Sequence, residues 1–350
     1  MSRRARKRGK TTQSFSFLQS QRFRRLFGIG VVGMGLIGFA QIIAPVRTQA
    51  PLTLYIALEP AKRRAQAAEV ASLFPAYTIW HWLTRAGTLR AGRYEIQPTE
   101  TAMSVWNRLR RGLQTPLRLY LRPQRSAAHL AKFLSTHLAY DSTVWMASFL
   151  AYPWHTLGFS QDNWLALFLP DVYELYWTVS PTQLIQRMQE NYKRFWNEER
   201  RTKAEAIGLT PIEVTILASI IEYETYRSSE KPLIASVYLN RLRLGMFLQA
   251  DPTVIFATKQ FQAPRVTQRM IEVESPYNTY KRRGLPPGPI GTPSLESIEA
   301  VLNYTPSEYL YFCARPDGSG YHDFSRDYKE HLTKARAYQR ALNRWLAQRK

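Results

Sequence analysis

The chain has 350 residues, with 48 Lys and Arg against 26 Asp and Glu, a formal net charge of +22. Apolar residues make up 45% and there is a single cysteine, Cys313, which excludes a disordered chain, an intrachain disulfide and a cysteine-based zinc cluster. The length suits two or three domains.

The charge is uneven. Residues 1–25 carry nine basic side chains and no acid, leaving +13 for the rest. Leu26 to Val46 is then 21 residues without a charge, the length of a bilayer-spanning helix. A basic flank before such a span places it in the cytoplasm and the body of the chain on the far side. The expectation is a basic tail over 1–25, an uncleaved transmembrane helix over 26–46, and a single-pass protein of a bacterial inner membrane with an extracytoplasmic body. Gly28 to Gly33 matches G-x-G-x-x-G, but no strand precedes it and the first acid of the chain is Glu59. A dinucleotide site is therefore excluded.

Two segments then alternate with period two: Leu52, Leu54, Ile56 and Leu58, and Leu117, Leu119 and Leu121. Each predicts a half-buried strand that ends at a proline and runs into an Ala-rich helix. This strand–helix repeat occupies an α+β region over 47–135. Between its halves, residues 89–96 predict a turn into a short strand and residues 101–112 a helix. Residues 136–205 form a helical, aromatic-rich connection in which Trp145, Trp154, Trp164, Trp177 and Trp196 serve either as core or as platforms for sugar rings.

The last region, 206–350, opens on Thr210-Pro211-Ile212-Glu213, a capping box with proline at the first helical position. Val214, Leu217, Ala218 and Ile221 mark one buried helical face. A second helix fits Pro232–Leu244 and stops at Gly245, a third starts at Thr292-Pro293, and a basic amphipathic helix runs from Arg326 to about Gln348.

The first of these helices ends on Glu222-Tyr223-Glu224. At 100° per residue the two carboxylates point about 200° apart and cannot address one bond together. Either one, half-buried at the edge of the apolar face, would have its pKa raised as a general acid requires. The plainer reading is two helix-end carboxylates paired with Arg227 or Lys231. Gln249-Ala250-Asp251-Pro252-Thr253 is a polar turn, and Tyr277-Asn278-Thr279-Tyr280 precedes a rigid Pro/Gly loop over 284–290. Their side chains suit sugar hydroxyls and acetamido groups. His322 and His331 lack metal-ligand spacing, so no metal is expected.

These blocks, with Leu217–Thr225, Val237-Tyr238-Leu239-Asn240-Arg241-Leu242, Leu248–Val254 and Tyr309-Leu310-Tyr311-Phe312, resemble the endolytic murein transglycosylase family, MltG (YceG-like), in order and spacing over about residues 210–335. Ala91-Gly92-Arg93-Tyr94 and Leu169-Pro170-Asp171-Val172-Tyr173 extend the resemblance more weakly. One departure is Leu165-Ala166, where the family often has Glu-Gly. The resemblance implies a transmembrane helix, LysM-like modules and a mixed α/β catalytic domain. It also implies cleavage of the MurNAc-β-1,4-GlcNAc bond of nascent peptidoglycan to 1,6-anhydro ends, terminating strand growth beside cell-wall synthases, without a cofactor. It places catalysis on Glu222, with substrate contacts at Gln249, Asp251, Thr253, Tyr277, Asn278, Thr279 and Tyr280. Glu224, Asn240, Arg241, Pro286 and Pro287 become supporting residues. An intramolecular nucleophile removes the need for the second carboxylate of a hydrolase. The alternatives are a non-catalytic wall-binding scaffold and a hydrolase using Glu222 with Asp251. Nucleic-acid binding is disfavoured, because the basic residues after residue 50 are dispersed.

Overall fold

A computed structural model describes residues 36–37, 39–41, 43–75, 81, 89–263 and 265–347. The basic tail, the glycine-rich hexapeptide and most of the 26–46 segment lie outside the described residues. Among the described residues no single helix is long and apolar enough to cross a membrane.

The chain divides into two compact units, residues 1–116 with 176–178, and residues 117–175 with 179–350. The first holds strand β1 (Leu52–Ile56), helices α1 (Pro60–Ala65) and α2 (Ala67–Ser72), strand β2 (Gly92–Ile96) and helix α3 (Ala102–Arg111). β1 and β2 pair antiparallel, with Leu54 opposite Tyr94. Their inward residues Leu54, Ile56, Tyr94 and Ile96 bury against Val70, Phe74, Val105, Trp106 and Leu109. α3 starts at an N-cap, Thr101, and stops at Gly112 in the left-handed region, φ 71°.

The second unit begins with β3 (Leu117–Leu121), α4 (Ala127–His137), α5 (Ser142–Ala151) and β4 (Asp171–Leu175). β3 pairs antiparallel with β4. That pairing draws β3 and α4 out of the expected 47–135 region, so the division falls at Pro116 rather than at residue 135. Trp145, Trp154, Trp164 and Trp196 are all buried, and the Trp154 and Trp164 rings stack 4.9 Å apart. They are core, and the sugar-platform reading does not apply to them.

Helices α6 (Pro181–Phe195) and α7 (Glu198–Ala206) lead to α8 (Pro211–Glu224), α9 (Lys231–Arg243), α10 (Asp251–Thr258), α11 (Gln268–Ile271) and α12 (Leu295–Leu302). A hairpin of β5 (Tyr311–Ala314) and β6 (His322–Ser325) and helix α13 (Tyr328–Ala347) complete the described residues. The capping box forms: Thr210 Oγ1 accepts from Glu213 N, and Glu213 accepts from Thr210 N. α8 is buried over its whole middle, Val214 through Ile221, not on one face alone. It packs against α9, α10 and α12, which cover the side the periodicity left open. Its polar residues in that stretch are satisfied internally; Ser219 donates to Ile216 O and accepts from Ile290 N.

Candidate active site

Because α8 is enclosed until its last turn, Glu222 and Glu224 emerge where it meets its neighbours, and the 200° between them sends each to a different helix. Glu222 faces α12. Its Oε2 accepts from Ser294 N (3.2 Å), Ser294 Oγ (2.5 Å), Ser297 Oγ (2.5 Å) and Lys231 Nζ (3.4 Å). The Lys231 side chain is only 6% exposed and also reaches Glu296 at 2.9 Å. Four donors on one oxygen, one of them an ammonium, make a structural clamp between α8, α9 and α12.

Glu224 faces α9. Its Oε1 accepts from the Tyr238 hydroxyl. Oε2 has no hydrogen-bond partner among the described residues and is not sealed from solvent. The residue keeps some accessible surface, yet protein packs densely around the carboxyl. Burial pushes its pKa up to about 8; the Tyr238 hydrogen bond and the Arg241 charge pull it down, and the Asp251 charge adds to the rise. The family resemblance places the acid at Glu222 and gives Glu224 a supporting role; in the structure the cation at Lys231 and the hydroxyls at Ser294 and Ser297 lie on the Glu222 side, and it is the Glu224 carboxyl that burial raises.

Asp251, Tyr280 and Arg241 lie close enough to interact electrostatically with Glu224, and neighbouring residues hold them in place. Asp251, exposed at the start of α10, accepts from the Tyr280 hydroxyl. Tyr280 is driven far above its usual pKa by burial and by Asp251. Arg241 is buried and braced by three carbonyls, donating to Leu310 O (2.6 Å), Phe247 O (3.3 Å) and Leu248 O (2.6 Å). Asn240 donates to Ser307 O and Tyr309 O, tying the segment before β5 to α9. Gln249 is exposed and holds φ at 49°, a left-handed conformation that a side chain rarely adopts.

Three expected sugar contacts are framework. Thr253, Asn278 and Thr279 are buried, with their hydrogen bonds spent inside the fold. Thr253 Oγ1 donates to Ala250 O and meets Thr279 Oγ1 at 2.8 Å, while Asn278 Nδ2 donates to Ile271 O and Val273 O. Together they hold the 249–251 turn, since Thr279 O accepts from Gln249 N and Thr279 Oγ1 from Ala250 N. Tyr277 is half-buried, its ring 4.8 Å from that of Phe256 and its hydroxyl 3.4 Å from Asp162 O. Pro286 is buried and Pro287 exposed on the Pro/Gly loop, where a Cβ on Gly288 would lie 1.9 Å from Asp162 O. Only glycine fits at position 288 because of this close approach.

Sequence reasoning offered Lys231 as a partner for the helix-end carboxylates but missed Ser294 and Ser297 beside it, and Tyr238 as the partner of Glu224. Each pair is remote in sequence, and only the packing of α8, α9 and α12 joins them. Among the described residues no group of three His, Cys, Asp or Glu is placed to hold a metal ion.

A sequence model described as the YceG-like family matches residues 60–337. A protein of Bacillus subtilis (strain 168) named endolytic murein transglycosylase is 44% identical over 115 residues, 33% of this chain and 31% of its own length. One of the same name from Streptococcus pneumoniae serotype 2 is 37% identical over 135 residues, 36% of this chain and 24% of its own. The matched stretch thus spans about a third or less of these curated relatives. A crystal structure of a YceG-like protein from Listeria monocytogenes superposes with a TM-score of 0.55 at 24% identity, covering 82% of this chain and 99% of that one, a likeness of fold.

Proposed function

The chain belongs to the YceG-like family, and from that premise we propose that it is a peptidoglycan lytic transglycosylase whose single acid–base is Glu224. The observation that carries this reading is the Glu224 carboxyl, with a pKa of about 8 and within reach of the charge of the exposed Asp251. An acid ionising there is still protonated at neutral pH and can give that proton to a leaving glycosidic oxygen. Tyr238 fixes one oxygen of the group and leaves the other free to transfer the proton.

The proposed reaction cleaves the MurNAc-β-1,4-GlcNAc bond. Glu224 protonates O4 of the departing GlcNAc as the C1–O4 bond breaks. The resulting carboxylate then takes the proton from the muramyl C6 hydroxyl as O6 closes on C1, leaving a 1,6-anhydro end and a reprotonated Glu224. No water enters the bond. Attack within one sugar supplies a high effective concentration of nucleophile. Asp251 and the Tyr280 hydroxyl are placed to position the strand and to stabilise positive charge developing at C1.

A hydrolase is the second reading, favoured by the proximity of the Asp251 charge to Glu224. Here Asp251 accompanies Glu224, not Glu222 as the sequence reading paired them. A hydrolase leaves reducing ends and a transglycosylase leaves anhydro ends, so mass analysis of digested sacculi separates the two.

The same proposal includes the setting. Residues 26–46 would anchor the chain in the inner membrane with 1–25 in the cytoplasm. LysM-like modules would lie between the anchor and the catalytic region, and cutting would act on nascent strands beside cell-wall synthases. The support is the uncharged 21-residue segment behind nine basic residues. Fractionation of cells, with protease protection of a C-terminal tag in spheroplasts, tests it; an unprotected tag in intact spheroplasts is the expected result, and a protected tag contradicts it.

A further inference from the structure

Arg125 stands at the end of the loop that leaves β3. Its guanidinium carbon lies 3.6 Å over the Tyr223 ring and 5.5 Å from that of Phe261. Tyr223 is the residue between the two helix-end carboxylates. Even so, no carboxylate comes within 4.0 Å of Arg125 among the described residues, and its buried Nη1 has no hydrogen-bond partner. Most buried nitrogens of this kind are paired, and an unpaired one calls for an explanation.

The backbone that carries Arg125 is fixed. Gln124 N and Thr292 Oγ1 are 2.6 Å apart, Thr292 N donates to Gln124 O at 2.8 Å, and a Cβ on Gly291 would collide with both Gln124 O and the Tyr223 hydroxyl. The guanidinium is therefore held over a ring face by a braced loop. A guanidinium over a ring face with its Nη1 unpaired still has a donor for a planar acceptor, and its charge suits a carboxylate better than a neutral hydroxyl. The residue is half-buried, not sealed.

We propose that Arg125 is a binding residue for a carboxylate of the substrate strand, and that Tyr223 is its positioning partner. The proposal rests on the glycan-cleaving reading above. Two parts of peptidoglycan carry that chemistry: the lactyl group of a muramyl residue without its peptide, and the free carboxyls of a stem peptide. Both are absent from a polymer of N-acetylglucosamine alone.

The test is binding, so that it stands apart from cleavage. The full chain and its Arg125→Met and Arg125→Lys variants are titrated with a GlcNAc–MurNAc tetrasaccharide bearing free lactyl acids, with its lactyl amide, and with chitotetraose. A second pair of ligands carries stem peptides with free or amidated carboxyls. The wild-type chain is expected to bind the acid member of at least one pair about tenfold more tightly than its amide, and the pair that discriminates identifies the source. Arg125→Met loses that preference while its affinity for chitotetraose is unchanged, and Arg125→Lys keeps part of it. Equal affinity of the wild type for acid and amide in both pairs overturns the proposal. A preference that survives in Arg125→Met also overturns it and makes Arg125 a packing strut. Thermal melting of each variant confirms folding, and failure of the cleavage reading would show separately as intact sacculi.

Discussion

The Tyr238 hydroxyl donates to Oε1 of Glu224, while the carboxylate two residues earlier is held by Ser294, Ser297 and Lys231. One turn of α8 thus presents a poorly solvated acid on one side and a clamped anion on the other. The two roles separate experimentally.

Glu222→Ala removes the clamp. The Ser294 and Ser297 donors at the start of α12 lose their acceptor, and the buried Lys231 is left with Glu296 and, at 3.5 Å, Ser294 Oγ. A cost of about 1–3 kcal/mol is expected. The denaturation midpoint in urea should fall accordingly, with an unchanged slope. Folded protein below the transition should retain most of its activity. A stable but inactive Glu222→Ala would return the catalytic role to Glu222.

The raised pKa of Glu224 couples stability to pH. The folded chain holds this proton up to about pH 8, whereas the unfolded chain releases it near 4.5. Ionisation therefore opposes folding. The contribution of Glu224 is complete below pH 4.5, declines as pH rises between those values, and is flat above them. Melting temperature against pH should show this fall in the wild type and lose it in Glu224→Gln, which should be the more stable of the two at pH 9. Parallel curves for the two proteins would contradict the assignment.

Gln249 carries its backbone strain without a glycine. Gln249→Gly should raise stability or leave it unchanged, because glycine adopts φ 49° without a penalty of about 1 kcal/mol. Activity should fall in the same variant, since the exposed side chain beside Asp251 is lost. A variant that is both less stable and fully active would assign Gln249 to the framework.

The sequence already carried the elements that local chemistry sets. The Thr210 capping box, the β1 and β3 alternation, the Gly245 stop and the turn at Gln249 all appear where their residues predict them. Which carboxylate is an acid was not legible. Glu222 and Glu224 look alike on a helical wheel, and their difference comes from Ser294 and Tyr238, at separations of 72 and 14 residues. Thr253, Asn278 and Thr279 misled for a related reason. A hydroxyl or amide that binds sugar and one that braces a turn have the same composition, and only burial tells them apart.

The central claim is tested most directly by the products released from purified sacculi by the wild type, Glu224→Gln and Glu222→Gln. The account predicts 1,6-anhydro muropeptides from the wild type, a loss of about 10²- to 10⁴-fold in Glu224→Gln, and near wild-type yield from folded Glu222→Gln. Undiminished anhydro products from Glu224→Gln would contradict it.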